Sequence, residues 1–272
     1  MSEQIQNLTE LVKQLRAKSG AGIMACKKAI VEANGDVEKA YDMLLAKGEK
    51  MAESKADRSV NEGMLATISG DHDVAIVAVK CETDFVSSNP DFQNFVNAIS
   101  KIAYENKALD VVTLSALKMG AGSVETERVA LVSKVGENVQ ISECQYYQND
   151  KGYASVYRHG DKLACAVFLN TQNEVVGKDI GMHVVAMNPL ATKAKDVPSE
   201  IVERKQALFS TQVEKMGKPG FAQKIIDGKM AKFLKEVCLL DQIFVKEAKM
   251  TVAEYLKQEK SEVLHFIRVQ LN

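Results

Sequence analysis

Thiol and imidazole side chains are the groups of this chain that could act as nucleophiles, general bases or metal ligands. The cysteines lie tens of residues apart without a C-x-x-C pair, and no histidine has a Cys, His or carboxylate at a spacing typical of metal sites. We therefore expect reduced, mostly buried thiols, and neither a metal site nor a catalytic Cys–His pair. The residues concerned are Cys26, Cys81, Cys144, Cys165 and Cys238, with His72, His159, His183 and His265.

Four of these residues have neighbours that suggest a role. Cys26 precedes two lysines, which would favour a thiolate, although a position on the apolar face of a helix explains it better. His183 and His265 lie on apolar segments and are predicted to be core or interface residues. His159 adjoins a predicted hairpin turn, so we expect it to be exposed and available to a partner.

A glycine-rich segment, residues 20–25, matches the G-x-G-x-x-[GA] spelling of a dinucleotide-binding loop. That loop requires a preceding strand, whereas an amphipathic helix is predicted here, so we reject a nucleotide site. The segment is interpreted as a tight loop between helices whose glycines permit positive φ. Its tip carries Ile23 and Met24, which are flexible apolar residues suited to docking.

A polar segment, CETDFVSSNP, connects a predicted strand to a predicted helix over residues 81–90. Most of its residues are helix caps or turn formers, so Phe85 is the residue whose role needs explanation. Two interpretations stay open. Phe85 either folds into the core beneath the helix, which the residue types alone favour, or is an exposed aromatic anchor with Asp84 beside it.

The composition excludes several classes of protein. The 272 residues are 46% hydrophobic and 26% charged, which is ordinary for a globular protein. With 35 basic and 36 acidic residues the net charge is −1, so no general attraction to nucleic acid is expected. The N-terminal MSEQIQNLTE is neither basic nor apolar, and the longest apolar runs fall far short of the roughly 18 residues of a membrane span. We expect a cytoplasmic protein that binds neither membranes nor, directly, nucleic acid.

Apolar spacing predicts three helices in residues 1–48. Residues 7–18 form the first, residues 26–33 the second, and Asp36 caps a third that stops at Gly48. Residues 49–62 are charged and lack an apolar period, which is typical of a solvated linker that can be helical.

The remaining pattern predicts a duplicated core with an inserted hairpin of helices. Two strands and a helix follow Gly63, and residues 139–169 begin a second copy, so the subdomains are 63–137 and 138–198 with 238–272. Two helical segments separated by GKPG form an antiparallel hairpin over 199–237. A last strand returns to the second sheet. The predicted fold class is α+β, with two small antiparallel sheets covered by helices.

Six stretches of the chain closely resemble the bacterial elongation factor Ts family, in the same order. They are LVKQLRAKSGAGIMACKKAIVEANGDVEKA, CETDFVSSNPDFQNF, ERVALVSKVGENVQI, YRHGDKL, GMHVVAMNP and GKMAKFLKEVCLLDQIFV. The blocks SGAGIM-x-CKKAI and Thr-Asp-Phe-Val are highly specific. The family acts as the guanine nucleotide exchange factor of elongation factor Tu. The resemblance implies a ubiquitin-associated-like domain in the three helices and a coiled-coil dimerisation arm, hence a homodimer, in the hairpin.

The resemblance also implies roles for individual residues. Thr83, Asp84, Phe85 and Val86 are implied to dislodge Mg²⁺ from elongation factor Tu, with Phe85 wedged into an apolar pocket near the nucleotide and Asp84 supporting it. Loss of the ion removes positive charge that opposes the diphosphate, so GDP escapes faster. The further partner contacts implied are Ile23, Met24, Lys27, Val135, Gly136 and His159.

Nucleotide exchange makes and breaks no covalent bond, so the resemblance implies a protein that is not an enzyme and needs no cofactor or metal of its own. The alternative is an adaptor that binds a peptide or ubiquitin through its three helices and lacks exchange activity. The chain departs from the family pattern at Ala25, where an acidic residue is common, and at Gln242-Ile243, where a proline before phenylalanine is usual. Neither departure touches Thr83 to Val86.

Overall fold

The computed structural model describes residues 2–214 and 221–271. The chain divides into two compact units, which are described separately. Unit 1 lies mainly within Met1–Ile68 and Ala75–Tyr147, and unit 2 within Ser69–Val74 and Gln148–Gln270. Helices and small sheets occur in both, so the predicted α+β class is confirmed.

Three helices begin unit 1: α1 (Ser2–Ser19), α2 (Ile23–Glu32) and α3 (Val37–Lys55). They bury a small apolar core of their own, to which α1 contributes Val12 and Leu15 and α2 contributes Cys26 and Ile30. Asp36 caps α3 by accepting hydrogen bonds from two backbone N–H groups of its first turn. The predicted N-terminal three-helix segment is confirmed.

Helix α3 does not stop at Gly48, where the sequence predicts its end. It continues to Lys55 and occupies the first half of the segment 49–62 predicted as a linker. The extra turns are held because Ala52 is buried in the core of the sheet region that follows. At Gly48 an added Cβ would lie 3.2 Å from a methyl carbon of Val129, so the glycine allows the close approach.

The rest of unit 1 is a three-stranded sheet, in the order β1-β2-β5, covered by helices. Its elements are β1 (Glu62–Ser69), β2 (Asp73–Cys81), α4 (Asp84–Ser87), α5 (Pro90–Glu105), α6 (Val111–Ala116), β3 (Lys118–Met119), β4 (Gly122–Ser123), α7 (Val124–Val135) and β5 (Val139–Gln148). Alternate side chains of β2, including Ala75, Val77 and Val79, share one core with Phe92 and Ile99 of α5.

Strand β5 corrects the predicted boundary between the two core subdomains. The sequence pattern predicts that residues from 138 onward belong to the second subdomain, whereas β5 pairs with β2 in the first sheet. The prediction is wrong here because β5 immediately precedes the second hairpin and has the same strand-like pattern. An isolated two-stranded hairpin is marginally stable, and β5 supplies the third strand that the first hairpin needs.

Unit 2 contains a second three-stranded sheet, in the order β6-β7-β8. Its elements are β6 (Tyr153–His159), β7 (Leu163–Leu169), α8 (Glu174–Met187), α9 (Ser199–Glu214), α10 (Ala222–Val237), α11 (Val252–Gln258) and β8 (Val263–Gln270). Strand β7 is antiparallel to both neighbours, which confirms the predicted return of the last strand. In both units a later strand pairs with the second strand of a hairpin, as expected of a duplicated core.

Helix α8 lies directly on β6 because glycines face the strand. An added Cβ at Gly177 would lie 2.3 Å from the Cβ of Ser155, and one at Gly181 would lie 2.6 Å from the Cβ of Tyr157. Both distances are far below a normal contact, so a side chain at either position would force the helix away from the sheet.

Helices α9 and α10 contact each other as the two arms of the predicted hairpin, and the GKPG turn between them lies outside the described residues. Val213, Ile226 and Phe233 are buried, and Lys205 lies 5.2 Å from the centre of the Phe233 ring. Lys229 donates a hydrogen bond to Gln212 Oε1 at 2.7 Å. Dimerisation through this hairpin stays a prediction.

His183 of α8 is fully buried, as its apolar surroundings in the sequence predict. Its Nδ1 accepts from Val245 N at 3.2 Å, so Nε2 carries the proton and donates to Gln242 Oε1 at 2.9 Å. The amide of Gln242 is oriented by donation from its Nε2 to Glu236 O at 2.7 Å. Burial lowers the pKa of His183, against a smaller opposite effect of the Gln242 hydrogen bond. The imidazole therefore fits this site only when neutral.

Candidate functional site

The segment Thr83–Val86 forms a single helical turn at the end of β2. Thr83 caps α4 through its hydroxyl, which accepts from Val86 N at 3.4 Å, and its carbonyl accepts from Ser87 N at 3.2 Å. The chain then turns into α5, where Asn89 Oδ1 accepts from Asp91 N at 2.8 Å. Capping residues thus fix both ends of this short turn.

The side chains of this turn point to opposite environments. Val86 is buried in the core of unit 1, whereas 83% of the surface of Phe85 is exposed. Asp84 is exposed as well. The interpretation that Phe85 packs beneath the helix is therefore wrong. Phe85 is instead an exposed aromatic side chain on a backbone held in place by its capping hydrogen bonds and by its buried neighbour.

The carboxylate of Glu137, which no sequence pattern indicates, holds the start of this turn. Glu137, in the loop after α7, accepts a hydrogen bond from Thr83 N at 3.0 Å and another from Thr83 Oγ1 at 2.8 Å. A second connection runs alongside, because Asn138 N donates to Glu82 Oε1 at 2.6 Å. The adjacent pairs 82–83 and 137–138 are thus joined by two carboxylates, each accepting from backbone N–H of the opposite pair.

Val135 and Gly136 end α7 beside this connection. Gly136 has φ +77°, the left-handed conformation of a helix C-cap, and it is exposed. Its carbonyl accepts a hydrogen bond from the Lys55 ammonium at the end of α3. Asn138 is buried and its amide donates to two backbone carbonyls of the chain that leaves α3, at 3.1 and 3.2 Å. The structure thus brings Thr83–Val86 and Val135–Gly136 together.

The start of α2 presents an apolar surface on the three-helix segment. Ile23 and Met24, predicted at the tip of a loop before a helix of residues 26–33, instead form the first turn of that helix, which Gly22 precedes as N-cap. The exposed fractions of the Ile23 and Met24 side chains are 54% and 75%, and Lys27 is exposed one turn later on α2. Val31, which the sequence analysis did not select, is 57% exposed and follows Met24 by seven residues. Residues seven apart lie on the same face of a helix, so this face is more apolar than predicted.

His159 ends strand β6 in unit 2 and is exposed, as its position at the hairpin turn predicts.

All five cysteines are buried thiols. Desolvation, with a smaller contribution from Asp110, raises the pKa of Cys144 to about 11. In the part of the chain that the structure describes, no three His, Cys, Asp or Glu side chains are grouped so as to hold a metal ion. No described helix is both long and apolar enough to cross a membrane.

Comparisons with known proteins decide the family. The model of the family described as "Elongation factor TS" matches residues 82–272. Proteins called "Elongation factor Ts" from Burkholderia thailandensis and Burkholderia multivorans are each 38% identical over 257 residues, covering 94% of this chain and 87% of theirs. The chain belongs to the elongation factor Ts family.

The elongation factor Ts match includes the exposed turn and its surroundings. Residues 82–272 contain Thr83 to Val86, the end of α7, and His159. Helix α2 precedes the matched region of the family model, but an alignment of 257 residues within a chain of 272 must include residues 23–27. The alignment with the elongation factor Ts relatives therefore spans each segment selected from the sequence.

Proposed function

We propose that this chain is a guanine nucleotide exchange factor that binds elongation factor Tu in its GDP-bound form and accelerates the release of GDP. The exposure of Phe85 carries the proposal. Folding gains nothing from a phenylalanine that stays in water, whereas a buried aromatic anchor is the kind of residue that dominates the energy of an interface. The family relationship supplies the partner.

The proposed mechanism begins with insertion of Phe85 into an apolar pocket of elongation factor Tu near the nucleotide, supported by Asp84. Insertion dislodges the Mg²⁺ that the partner holds against the diphosphate. The ion is the largest positive charge that opposes the diphosphate, so its loss weakens GDP binding. GTP can then enter the vacated site. This chain supplies no reacting group, and in this proposal it is not an enzyme.

Exchange by this route is a coupling between two binding equilibria. The factor binds nucleotide-free elongation factor Tu more tightly than the nucleotide-bound form, so bound nucleotide must weaken binding of the factor by the same ratio. A preorganised turn serves this purpose, because little entropy is lost in ordering Phe85 when it docks. The caps at Thr83 and Asn89 and the buried Val86 provide that order.

Further contacts with the partner are proposed in both units. The apolar face of α2 docks on the nucleotide-binding domain of the partner, and the end of α7 and the tip of β6 add contacts of the core. We further propose a cytoplasmic protein whose α9–α10 hairpin can form a homodimer. The proposed contact residues besides Thr83 to Val86 are Ile23, Met24, Lys27, Val135, Gly136 and His159.

The test is stopped-flow release of a fluorescent GDP analogue from elongation factor Tu, chased with excess GDP, as a function of the concentration of this protein. We expect the release rate to rise to a plateau. Addition of excess Mg²⁺ should reduce the acceleration, because it opposes displacement of the ion. An adaptor without exchange activity would bind the partner without changing the release rate. No acceleration at saturating protein would refute the proposal.

A further inference from the structure

We infer that Glu137 is the positioning residue for Phe85: its carboxylate fixes the turn that carries this side chain. The inference rests on the proposed function, in which Phe85 is the group that enters the partner. Glu137 would not itself contact the nucleotide or the ion. It would act through Thr83, to which it is hydrogen-bonded across 54 residues of sequence.

The Thr83 hydroxyl can cap α4 because it is a donor to Glu137 and an acceptor from the helix. The Thr83 hydroxyl donates its proton to Glu137 Oε1, so its lone pairs are free to accept from Val86 N, the cap of α4. The second oxygen of Glu137 accepts from Thr83 N. Both carboxylate oxygens are thus used on one residue, and together they fix the orientation of the capping hydroxyl and of the backbone that precedes Phe85.

Helix α4 needs such support because it contains four residues, Asp84–Ser87. A single turn is unstable on its own, since nucleation fixes several residues for few hydrogen bonds. Burial contributes through Val86, while Phe85 contributes little because it is exposed. The direction of the Phe85 side chain therefore depends on the connection at Thr83 and on the cap of α5.

A second hydrogen bond, from Asn138 N to Glu82, joins the same two segments beside the one from Thr83 to Glu137. Glu137 is therefore part of a connection between two segments and not an isolated surface residue. Glu82 accepts from Asn138 N at 2.6 Å and lies 3.5 Å from the Arg58 guanidinium. The loop that carries Glu137 is thus itself held by Glu82, Asn138 and the Lys55 hydrogen bond to Gly136. Because the loop is held at these points, the carboxylate of Glu137 has a fixed position. It therefore fixes Thr83 and does not move with it.

Glu254 provides a matched control in unit 2. Its Oε2 accepts from Thr251 N at 2.7 Å and from Thr251 Oγ1 at 3.1 Å, so the same two donors of a capping threonine are bound, here by a single carboxylate oxygen. It stabilises α11 and has no proposed contact with a partner. Glu254→Ala and Glu137→Ala therefore each remove two hydrogen bonds from a capping threonine, at two different places.

The experiment measures GDP release from elongation factor Tu over a range of factor concentrations, for the wild-type chain, Glu137→Ala, Glu137→Gln and Glu254→Ala. We expect Glu137→Ala to lower the plateau rate by about 3- to 10-fold, with a smaller change in the half-saturating concentration. Both hydrogen bonds to Thr83 are lost, so Phe85 is present but no longer held in the direction for insertion. Glu137→Gln should fall between Glu137→Ala and wild type, because an amide oxygen can still accept one of the two hydrogen bonds. Glu254→Ala should keep the wild-type plateau.

A double-mutant cycle separates positioning from general destabilisation. In a Phe85→Ala background, Glu137→Ala should lower the plateau no further, because the side chain that it positions is gone. An equal loss in both backgrounds, an unchanged plateau in Glu137→Ala, or a similar loss in Glu254→Ala would overturn the inference alone. No acceleration by the wild-type chain would overturn the proposed function and this inference with it. If Glu137→Ala does not fold, Glu137→Gln carries the same comparison.

Discussion

Replacement of Phe85 by alanine should separate an effect on nucleotide exchange from an effect on stability. The side chain is 83% exposed, so its removal should change the free energy of unfolding by no more than about 0.5 kcal/mol. The backbone of the turn should persist, because its hydrogen bonds come from Thr83, Asn89 and Glu137 and its apolar contact comes from Val86.

The functional loss can be estimated from the exposed area. Complete burial of a phenylalanine side chain stabilises by about 1.5–3 kcal/mol. Since 83% of the surface of Phe85 is still exposed, about 1.2–2.5 kcal/mol of this can be gained on docking. At about 1.4 kcal/mol per tenfold change this corresponds to a roughly 8- to 60-fold lower rate of GDP release. The full effect should appear in the plateau rate if the pocket is filled in the step that releases GDP.

The assay compares Phe85→Ala with Val112→Ala. Val112 is 82% exposed on α6, so it matches the exposure of Phe85 without a proposed contact. Stopped-flow GDP release gives the plateau rate, calorimetry gives the affinity for elongation factor Tu, and urea denaturation gives the stability. We expect Val112→Ala to behave as wild type in all three measurements.

Two results would refute this reasoning. A plateau rate for Phe85→Ala within about twofold of wild type, with binding intact, would leave less than about 0.4 kcal/mol for the insertion and would exclude Phe85 as a wedge. A large loss of stability would show that Phe85 is packed in solution, contrary to its exposure. Equal effects of Phe85→Ala and Val112→Ala would assign the loss to a general property of the surface.

Three further predictions concern other parts of the chain. Met24→Ala should raise the half-saturating concentration in the release assay while leaving the plateau rate near wild type, because this exposed residue contributes to docking and lies outside the wedge. Gly177→Ala should destabilise the protein by about 1–3 kcal/mol because its Cβ would overlap a strand, whereas Gly228→Ala, with open space around it in α10, should be neutral or stabilising; urea denaturation measures both. The pKa of His183 is lower in the folded than in the unfolded state, so the unfolded chain binds the extra proton more readily. The free energy of unfolding should therefore fall as the pH drops below about 6.5, with a slope of at most about 1.4 kcal/mol per pH unit from this group, and the slope should be smaller in His183→Gln. An identical slope in that variant would contradict the assignment.

Much of the fold could be predicted because local signals agree with tertiary packing. Asp36 and Pro90 mark helix starts that the structure contains, and the continuous apolar run in β2 matches a strand whose residues 74–79 are all buried. The errors arise where packing overrides the local pattern. Helix α3 extends past Gly48 because Ala52 is buried in the core of the first sheet region. Strand β5 joins the first sheet because the first hairpin needs a third strand.

The candidate site was less predictable for a physical reason. The residue types around Phe85 favour burial, since a phenylalanine among polar residues gains most by entering a core. Its actual direction depends on hydrogen bonds with Glu137, which is 54 residues away and resembles an ordinary solvated glutamate in sequence. The sequence contains one indication of their importance: Glu137 and Asn138 lie inside the stretch ERVALVSKVGENVQI, which resembles the family. Only the structure pairs them with residues 82 and 83.

The surfaces proposed to contact the partner include exposed apolar side chains, and this fits a factor that must leave again. Phe85 and Met24 are exposed hydrophobic residues, while the whole chain carries a net charge of only −1. Without strong electrostatic steering, association is expected near about 10⁵–10⁶ M⁻¹ s⁻¹ and to depend weakly on salt. Such a complex is not held by long-range attraction. If the insertion of Phe85 supplies the preference for the nucleotide-free partner, returning nucleotide and Mg²⁺ compete directly with that insertion and expel the factor.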